Sequence, residues 1–132
     1  MEHLETIHLE YVLNTSSRQN LWAIISTPVG LEGWFADKVT SRGKVYNFFW
    51  EGEEARNAII TGKRLQSFIK FKWESDSREN LDNTYFELRI SQSELTNQCI
   101  LSITEVLAKE EAKDQIELWK TEVETMRRVY GF

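Results

Sequence analysis

Two histidines, one cysteine and 21 acidic residues are the groups with which this 132-residue chain would have to move protons, attack a substrate or hold a metal. His3 and His8 differ in parity, so on a continuous strand they would face opposite sides, whereas a metal site needs three or four convergent ligands. No metal is expected, and proton transfer by a histidine so close to a chain end is not expected either. Cys99 has no Cys-x-x-Cys partner and lies in an apolar strand, where a free thiol behaves as a small buried hydrophobe. Glu51, Glu53 and Glu54 cluster at a turn and read as a solvated loop, and Glu87 falls on the polar parity of its strand. An inward carboxyl with a raised pKa would be a candidate acid, but parity supplies none, so no catalytic residue is assigned. Gly30-x-x-Gly33 is too short for a dinucleotide fingerprint and has no βαβ unit around it; it reads as a tight turn that lets Trp34 point inward. Asn47, between aromatic neighbours, either faces solvent or donates a hydrogen bond inward. No cofactor is implied.

The remaining chemistry is that of flat apolar surfaces. Five Trp, four Tyr and seven Phe are a heavy aromatic load for this length, and such rings either fill volume or wall a ligand site. Trp34, Phe48, Trp50, Phe71, Trp73 and Trp119 are placed to converge between a helix and a sheet. Phe86 and Leu88 extend the sheet side, while Val123 and Met126 supply an adaptable helical wall. Those ten residues are the candidate ligand-binding set; whether they close on each other or leave a cavity is open at this level.

The elements that must position them are legible from periodicity. From Leu4 to Leu13, Ile7, Leu9, Tyr11 and Leu13 alternate with polar residues, as in a half-buried strand. Ser16, with Gln19 three residues on, has the pattern of a capping box for a helix carrying Leu21, Trp22, Ile24 and Ile25, which Pro28 should end. Val29 to Phe35 reads as a second short helix or tight turn. From about residue 38 short alternating segments follow one another with turns between them and no intervening helix, which predicts an antiparallel sheet. Among them, Tyr46, Phe48 and Trp50 share a face, as do Ile69, Phe71 and Trp73, then Phe86, Leu88 and Ile90, and finally Cys99, Leu101 and Ile103. Ser75 to Asn83 reads as a polar turn. Ala112, Ile116, Trp119, Val123, Met126 and Tyr130, spaced by 4, 3, 4, 3 and 4, make one stripe of a long helix, with acidic residues in its first turns, Arg127 and Arg128 in its last, and Gly131 as its cap.

Size and composition bound the rest. A chain of 15.6 kDa with one Pro and six Gly is expected to be a single domain, residues 1–132, with a sizeable core. The net charge of −5, without a basic run, argues against nucleic acid as a partner. No stretch approaches the ~20 apolar residues of a membrane span. Met1-Glu2-His3-Leu4-Glu5 lacks the basic start and apolar centre of a signal peptide, so Asn14-Thr15-Ser16 reads as turn chemistry rather than a glycosylation site. The single cysteine fits a reducing compartment, and the expected location is the cytoplasm.

The element order and several local motifs resemble the START-like (SRPBCC, Bet v 1-like) superfamily, most closely its bacterial branch related to the C-terminal domain of the Hsp90 ATPase activator (AHSA1-like). The residues concerned are Leu21-Trp22, Ile25-Ser26-Thr27-Pro28-Val29-Gly30-Leu31, Trp34-Phe35-Ala36-Asp37, Phe48-Phe49-Trp50, Phe71-Lys72-Trp73, Thr84-Tyr85-Phe86-Glu87-Leu88, Leu101-Ser102-Ile103-Thr104, Leu118-Trp119 and Met126-Arg127-Arg128-Val129-Tyr130-Gly131. The resemblance implies an α+β helix-grip fold: a curved antiparallel sheet around a long C-terminal helix, with two short helices after the first strand. It implies three kinds of function. The first is non-enzymatic binding of a small apolar or amphipathic molecule between the helix and the sheet. The second is a protein-interaction module such as a chaperone cofactor, for which Phe68 and Tyr85, aromatics on polar strand faces, would serve as the surface. The third is a polyketide-cyclase-like enzyme, from whose pattern the chain departs because it shows no convincing acid–base set.

Overall fold

The computed structural model describes residues 3–74 and 83–132. In chain order these form β1 (Leu4–Val12), α1 (Arg18–Ser26), α2 (Pro28–Glu32), β2 (Lys38–Arg42), β3 (Val45–Phe49), β4 (Arg56–Arg64), β5 (Phe68–Trp73), β6 (Tyr85–Gln92), β7 (Cys99–Ala108), one 3-10 turn (Lys109–Glu111) and α3 (Ala112–Tyr130). The expected turn over Ser75 to Asn83 lies outside the described residues except for Asn83. The strands make one antiparallel sheet in the order β1-β7-β6-β5-β4-β3-β2, so every neighbour but the β1–β7 pair is consecutive in sequence. This is the helix-grip arrangement. Among the described residues, no helix is long and apolar enough to cross a membrane.

Alternation turns one face of the strands inward, towards α3 and the two short helices. The register carries a single row across the sheet, Ile7 opposite Glu105, Glu105 opposite Phe86, Phe86 opposite Phe71 and Phe71 opposite Ile60. β4 shifts register between Ile60 and Gly62, the kind of irregularity that bends a strand and strengthens its twist. The helix answers with Ala112, Trp119, Val123 and Met126, all buried, but also with Glu122, while Ile116 lies at the stripe's exposed margin. Gly131 closes α3 in the left-handed conformation, with φ of 75° and its N–H donating to the Arg127 carbonyl.

Two local expectations are corrected. The cap of α1 is Ser17, not Ser16: the Ser17 hydroxyl accepts from the Asn20 N–H at 3.1 Å, and the Ser16 carbonyl is instead taken by the Gln92 amide. Gly30 and Gly33 are needed for space rather than for an unusual turn. Gly30 lies inside α2, where a Cβ would sit 2.3 Å from the Ala23 carbonyl oxygen of α1. At Gly33 a Cβ would meet the Tyr130 hydroxyl, which donates to the Gly30 carbonyl at 3.0 Å and ties the end of α3 to α2. Trp34 does point inward, its indole N–H donating to the Ile24 carbonyl at 3.1 Å.

Gly30→Ala therefore has to push apart two helix backbones. Overpacking of this kind costs about 1–3 kcal/mol, and a fall in Tm of several degrees is expected by calorimetry. An unchanged Tm would show that α1 and α2 separate at no cost.

Candidate functional site

The aromatic side chains from sheet and helix stack on each other in the space between them. Phe71 and Phe86 stack with centroids 5.0 Å apart, Phe86 meets Trp119 at 5.8 Å, and Trp119 stacks on Phe35 at 5.3 Å. Phe48 packs against Phe35 at 5.0 Å and against Trp73 at 5.7 Å. Of the ten candidate binding residues, Trp34, Phe48, Phe71, Phe86, Leu88, Trp119, Val123 and Met126 are buried in this core. Trp50 and Trp73 differ, because they also line a pocket of about 380 Å³. Phe35, in contact with both walls of the core, is a central ring that the sequence reading did not single out.

The pocket opens between the β3–β4 turn, the start of β4, the end of β5, and the first half of α3. Its buried members are Phe35, Trp73 and Glu122, with Trp50 half-buried beside them. Its exposed rim carries Glu53, Arg56, Glu110, Glu111, Asp114 and Leu118. The Trp50 indole N–H donates to the Phe35 carbonyl at 2.8 Å, which fixes that wall. The Arg56 guanidinium lies 3.8 Å over the Trp73 ring, a stacked cation–π contact.

Beside the pocket, two carboxyls are buried that parity had not suggested. Glu105, 2% exposed, sits in the apolar row of the sheet. Its Oε1 accepts from the Trp119 indole N–H at 2.7 Å, and its Oε2 accepts from the Trp73 indole N–H in a longer contact of 3.4 Å. Burial pushes its pKa up, against opposing contributions from the Trp119 bond, Arg56, the Trp73 bond and a Gln115 bond. Glu122, 7% exposed, has one oxygen, Oε2, that is buried without a hydrogen-bond partner among the described residues. Burial first, then the carboxyls of Glu105 and Glu53, push its pKa up to about 9, so it is neutral at pH 7. A signal for each was present. The Cys99-Leu101-Ile103 face continues by parity to Glu105, and Glu122 adjoins Val123, three residues after Trp119 on the buried stripe.

The other candidates are dispersed. His8 is exposed and shares a hydrogen bond with the Thr104 hydroxyl at 2.9 Å, and His3 is exposed. Cys99 is buried, and burial raises its pKa against a smaller pull from Arg18. Glu51 is exposed; Glu87, half-buried, accepts from Arg89 Nε at 3.0 Å. Asn47 donates to the Thr40 hydroxyl at 3.2 Å. Glu53 alone of the acidic turn cluster lines the pocket.

Comparison with known proteins places this geometry. The family model for the START-like superfamily domain matches residues 1–132. A Bacteroides fragilis protein solved by NMR is 45% identical over 100% of this chain and 94% of its own, with a TM-score of 0.63. The Aha1 dimer of Colwellia psychrerythraea shares the fold at 14% identity and TM-score 0.77, over 95% of this chain and 96% of its own. A Mesorhizobium loti protein does so at 12% identity and TM-score 0.79, over 96% and 97%. No curated protein matches the chain.

Glu122 makes stability depend on pH with a definite sign. Its folded-state pKa, about 9, lies above the ordinary carboxyl value of 4.5, so between those pH values the folded chain holds a proton that the unfolded chain releases. Its contribution is fully present below pH 4.5 and is lost as pH rises towards 9. Denaturant unfolding of Glu122→Gln against wild type should show the variant gaining on wild type by up to about 1.4 kcal/mol per pH unit across that window. A difference that stays flat from pH 5 to 9 would mean that Glu122 is ionised in the fold.

Proposed function

The chain belongs to the START-like superfamily, and from that premise we propose that it reversibly binds a small amphipathic molecule in the pocket between α3 and the sheet, without chemical conversion. The superfamily includes binders of small hydrophobic ligands and cofactors of other proteins. One observation carries the ligand reading here. A pocket of about 380 Å³ has aromatic surface from Phe35, Trp50 and Trp73 on one side and a polar rim on the other. That volume lies at the small end of ligand sites, about 300–1,000 Å³. Burial of ligand against these rings would supply affinity at roughly 25 cal/mol per Å², before the entropy of association. The large rings behind the pocket serve as a stiff wall rather than as contact surface, which favours a ligand held at the mouth of the helix–sheet gap.

The protein-docking alternative draws less support from the same structure. Phe68 and Tyr85 are each half-buried, with Arg89 4.5 Å over the first ring and Lys70 4.0 Å over the second. Cations already cover the aromatic surface that a partner would use. Glu122 favours a different second reading, catalysis on the bound molecule, because a neutral carboxyl at a pocket is a general acid at neutral pH.

The neutral fluorescent probe N-phenyl-1-naphthylamine should bind with enhanced emission and quench the intrinsic tryptophan signal. Trp50→Ala should weaken binding by roughly 1–3 kcal/mol, the value of one large apolar contact, whereas Leu65→Ser, at an exposed residue outside the pocket, should leave it unchanged. Equal affinity of wild type and Trp50→Ala would remove the pocket as the site. Recovery of the probe chemically unchanged is the outcome expected of a binder.

A further inference from the structure

The charge on the pocket lining is lopsided. Among the described residues, five carboxyl side chains, Glu53, Glu110, Glu111, Asp114 and Glu122, and one cationic side chain, Arg56, line the pocket. Four of the five are exposed and by themselves would be an ordinary acidic rim. Glu122 is different: it is 7% exposed, it lines the pocket, and its Oε2 is a buried acceptor that no donor among the described residues reaches. Leaving a carboxyl oxygen buried and unpaired is costly, a cost that a donor entering the pocket removes. The aromatic wall is suited to the same kind of donor. Trp73 already carries a guanidinium at 3.8 Å, and Trp50 offers a second indole face beside it.

We infer that the pocket selects an organic cation, a protonated amine on a small aromatic or alkyl body, with the ammonium donating to Glu122 inside the acidic rim and the body lying against Phe35, Trp50 and Trp73. The inference rests on the ligand-binding reading above and names the class of molecule. An ammonium has three N–H donors, can satisfy Glu122 Oε2 directly, and leaves donors for a rim carboxylate or water. A carboxylate ligand would gain Arg56 but would have to approach four ionisable rim carboxyls, and a neutral alcohol would forgo the rim field altogether.

Binding is then linked to proton release. The groups acting on Glu122 are Glu105 from β7 and Glu53 from the β3–β4 turn, and the pocket it lines also carries Arg56 from β4, Glu110 and Glu111 from the 3-10 turn and Asp114 from α3 itself. With Glu122 neutral at pH 7, an arriving ammonium stabilises the carboxylate, and the carboxyl proton leaves to solvent: the neutral acid and the cation become an ion pair and one proton. Affinity for the cation should therefore rise with pH between about 6.5 and 8.5, by up to tenfold per unit.

The test compares three probes of one shape on the full chain by calorimetry: 2-phenylethylammonium, 3-phenylpropionate and 2-phenylethanol. The ammonium is expected to bind at least tenfold more tightly than the alcohol, the carboxylate more weakly than either, and calorimetry in buffers of different ionisation enthalpy should show protons released. Glu122→Gln should abolish the proton release and most of the preference. Asp114→Asn, on the exposed rim, should reduce the preference several-fold while keeping the proton release. Alcohol or carboxylate binding as tightly as the ammonium would overturn the inference while leaving a ligand pocket in place. An ammonium preference that survives Glu122→Gln undiminished would overturn the role of Glu122. Failure of all three probes and of N-phenyl-1-naphthylamine to bind would overturn both the inference and the reading beneath it.

Discussion

A carboxyl group buried in the middle of an apolar row holds this structure together. Glu105 occupies an inward position of β7, with Ile7 on one side and Phe86 on the other. Removing a carboxyl from water is costly unless its oxygens are taken by donors. Here the donors are the indole N–H groups of Trp119 on α3 and Trp73 on β5. Each of those rings would itself be left with a buried, unsatisfied N–H without Glu105. The three residues thus solve one another's desolvation, and in doing so they fix the rotation of the long helix and its height above the sheet. A purely apolar contact would permit the helix to slide; a directed hydrogen bond of 2.7 Å does not.

The position of the pocket follows from that attachment. Clamped by Trp119, the helix brings its buried stripe against Phe35 and Phe86, and the aromatic rings close the middle of the helix–sheet gap. Free volume is left where the strands β3, β4 and β5 end and the first half of α3 departs from them. Aromatic rings whose backs are locked in the core therefore form a rigid wall there, while the side chains around them come from the β3–β4 turn, the start of β4, the 3-10 turn and α3 and are mostly polar or charged. The same clamp delivers Glu122 to the pocket, since it follows Trp119 by three residues and must lie on nearly the same face of the helix.

Stability and recognition meet in Glu122. A neutral carboxyl with a buried, unpaired oxygen is a weak point in the fold, on a helix held in place by the burial of Trp119, Val123 and Met126. Such a group is poor structural material and good binding material: it has an acceptor to offer and a proton to give up. Glu105 is the contrast. Its oxygens are engaged by the two indoles, and it serves to orient the walls.

The first strand, the run of alternating segments after about residue 38, the Pro28 break between the two short helices, and the Trp119–Val123–Met126 stripe were readable because each depends on local periodicity, and local periodicity is set by the backbone geometry of strand and helix. The convergence of the aromatics followed from the same faces. Glu105 and Glu122 lay on those faces too, yet residue type argues against burying a carboxylate, and nothing local in the chain shows that indole N–H groups 32 and 14 positions away will arrive to receive Glu105. That meeting needs the registers of β1, β7, β6 and β5 and the docking of α3 all at once. The chain's pattern by itself determined which elements form, which faces turn inward and that a helix must lie across a sheet, since burial of apolar stripes leaves little alternative. Only tertiary structure decided that the rings would fill the centre, that the space would open at one end, and that a neutral carboxyl would face it, because filled volume and carboxyl ionisation depend on distances between residues far apart in the chain.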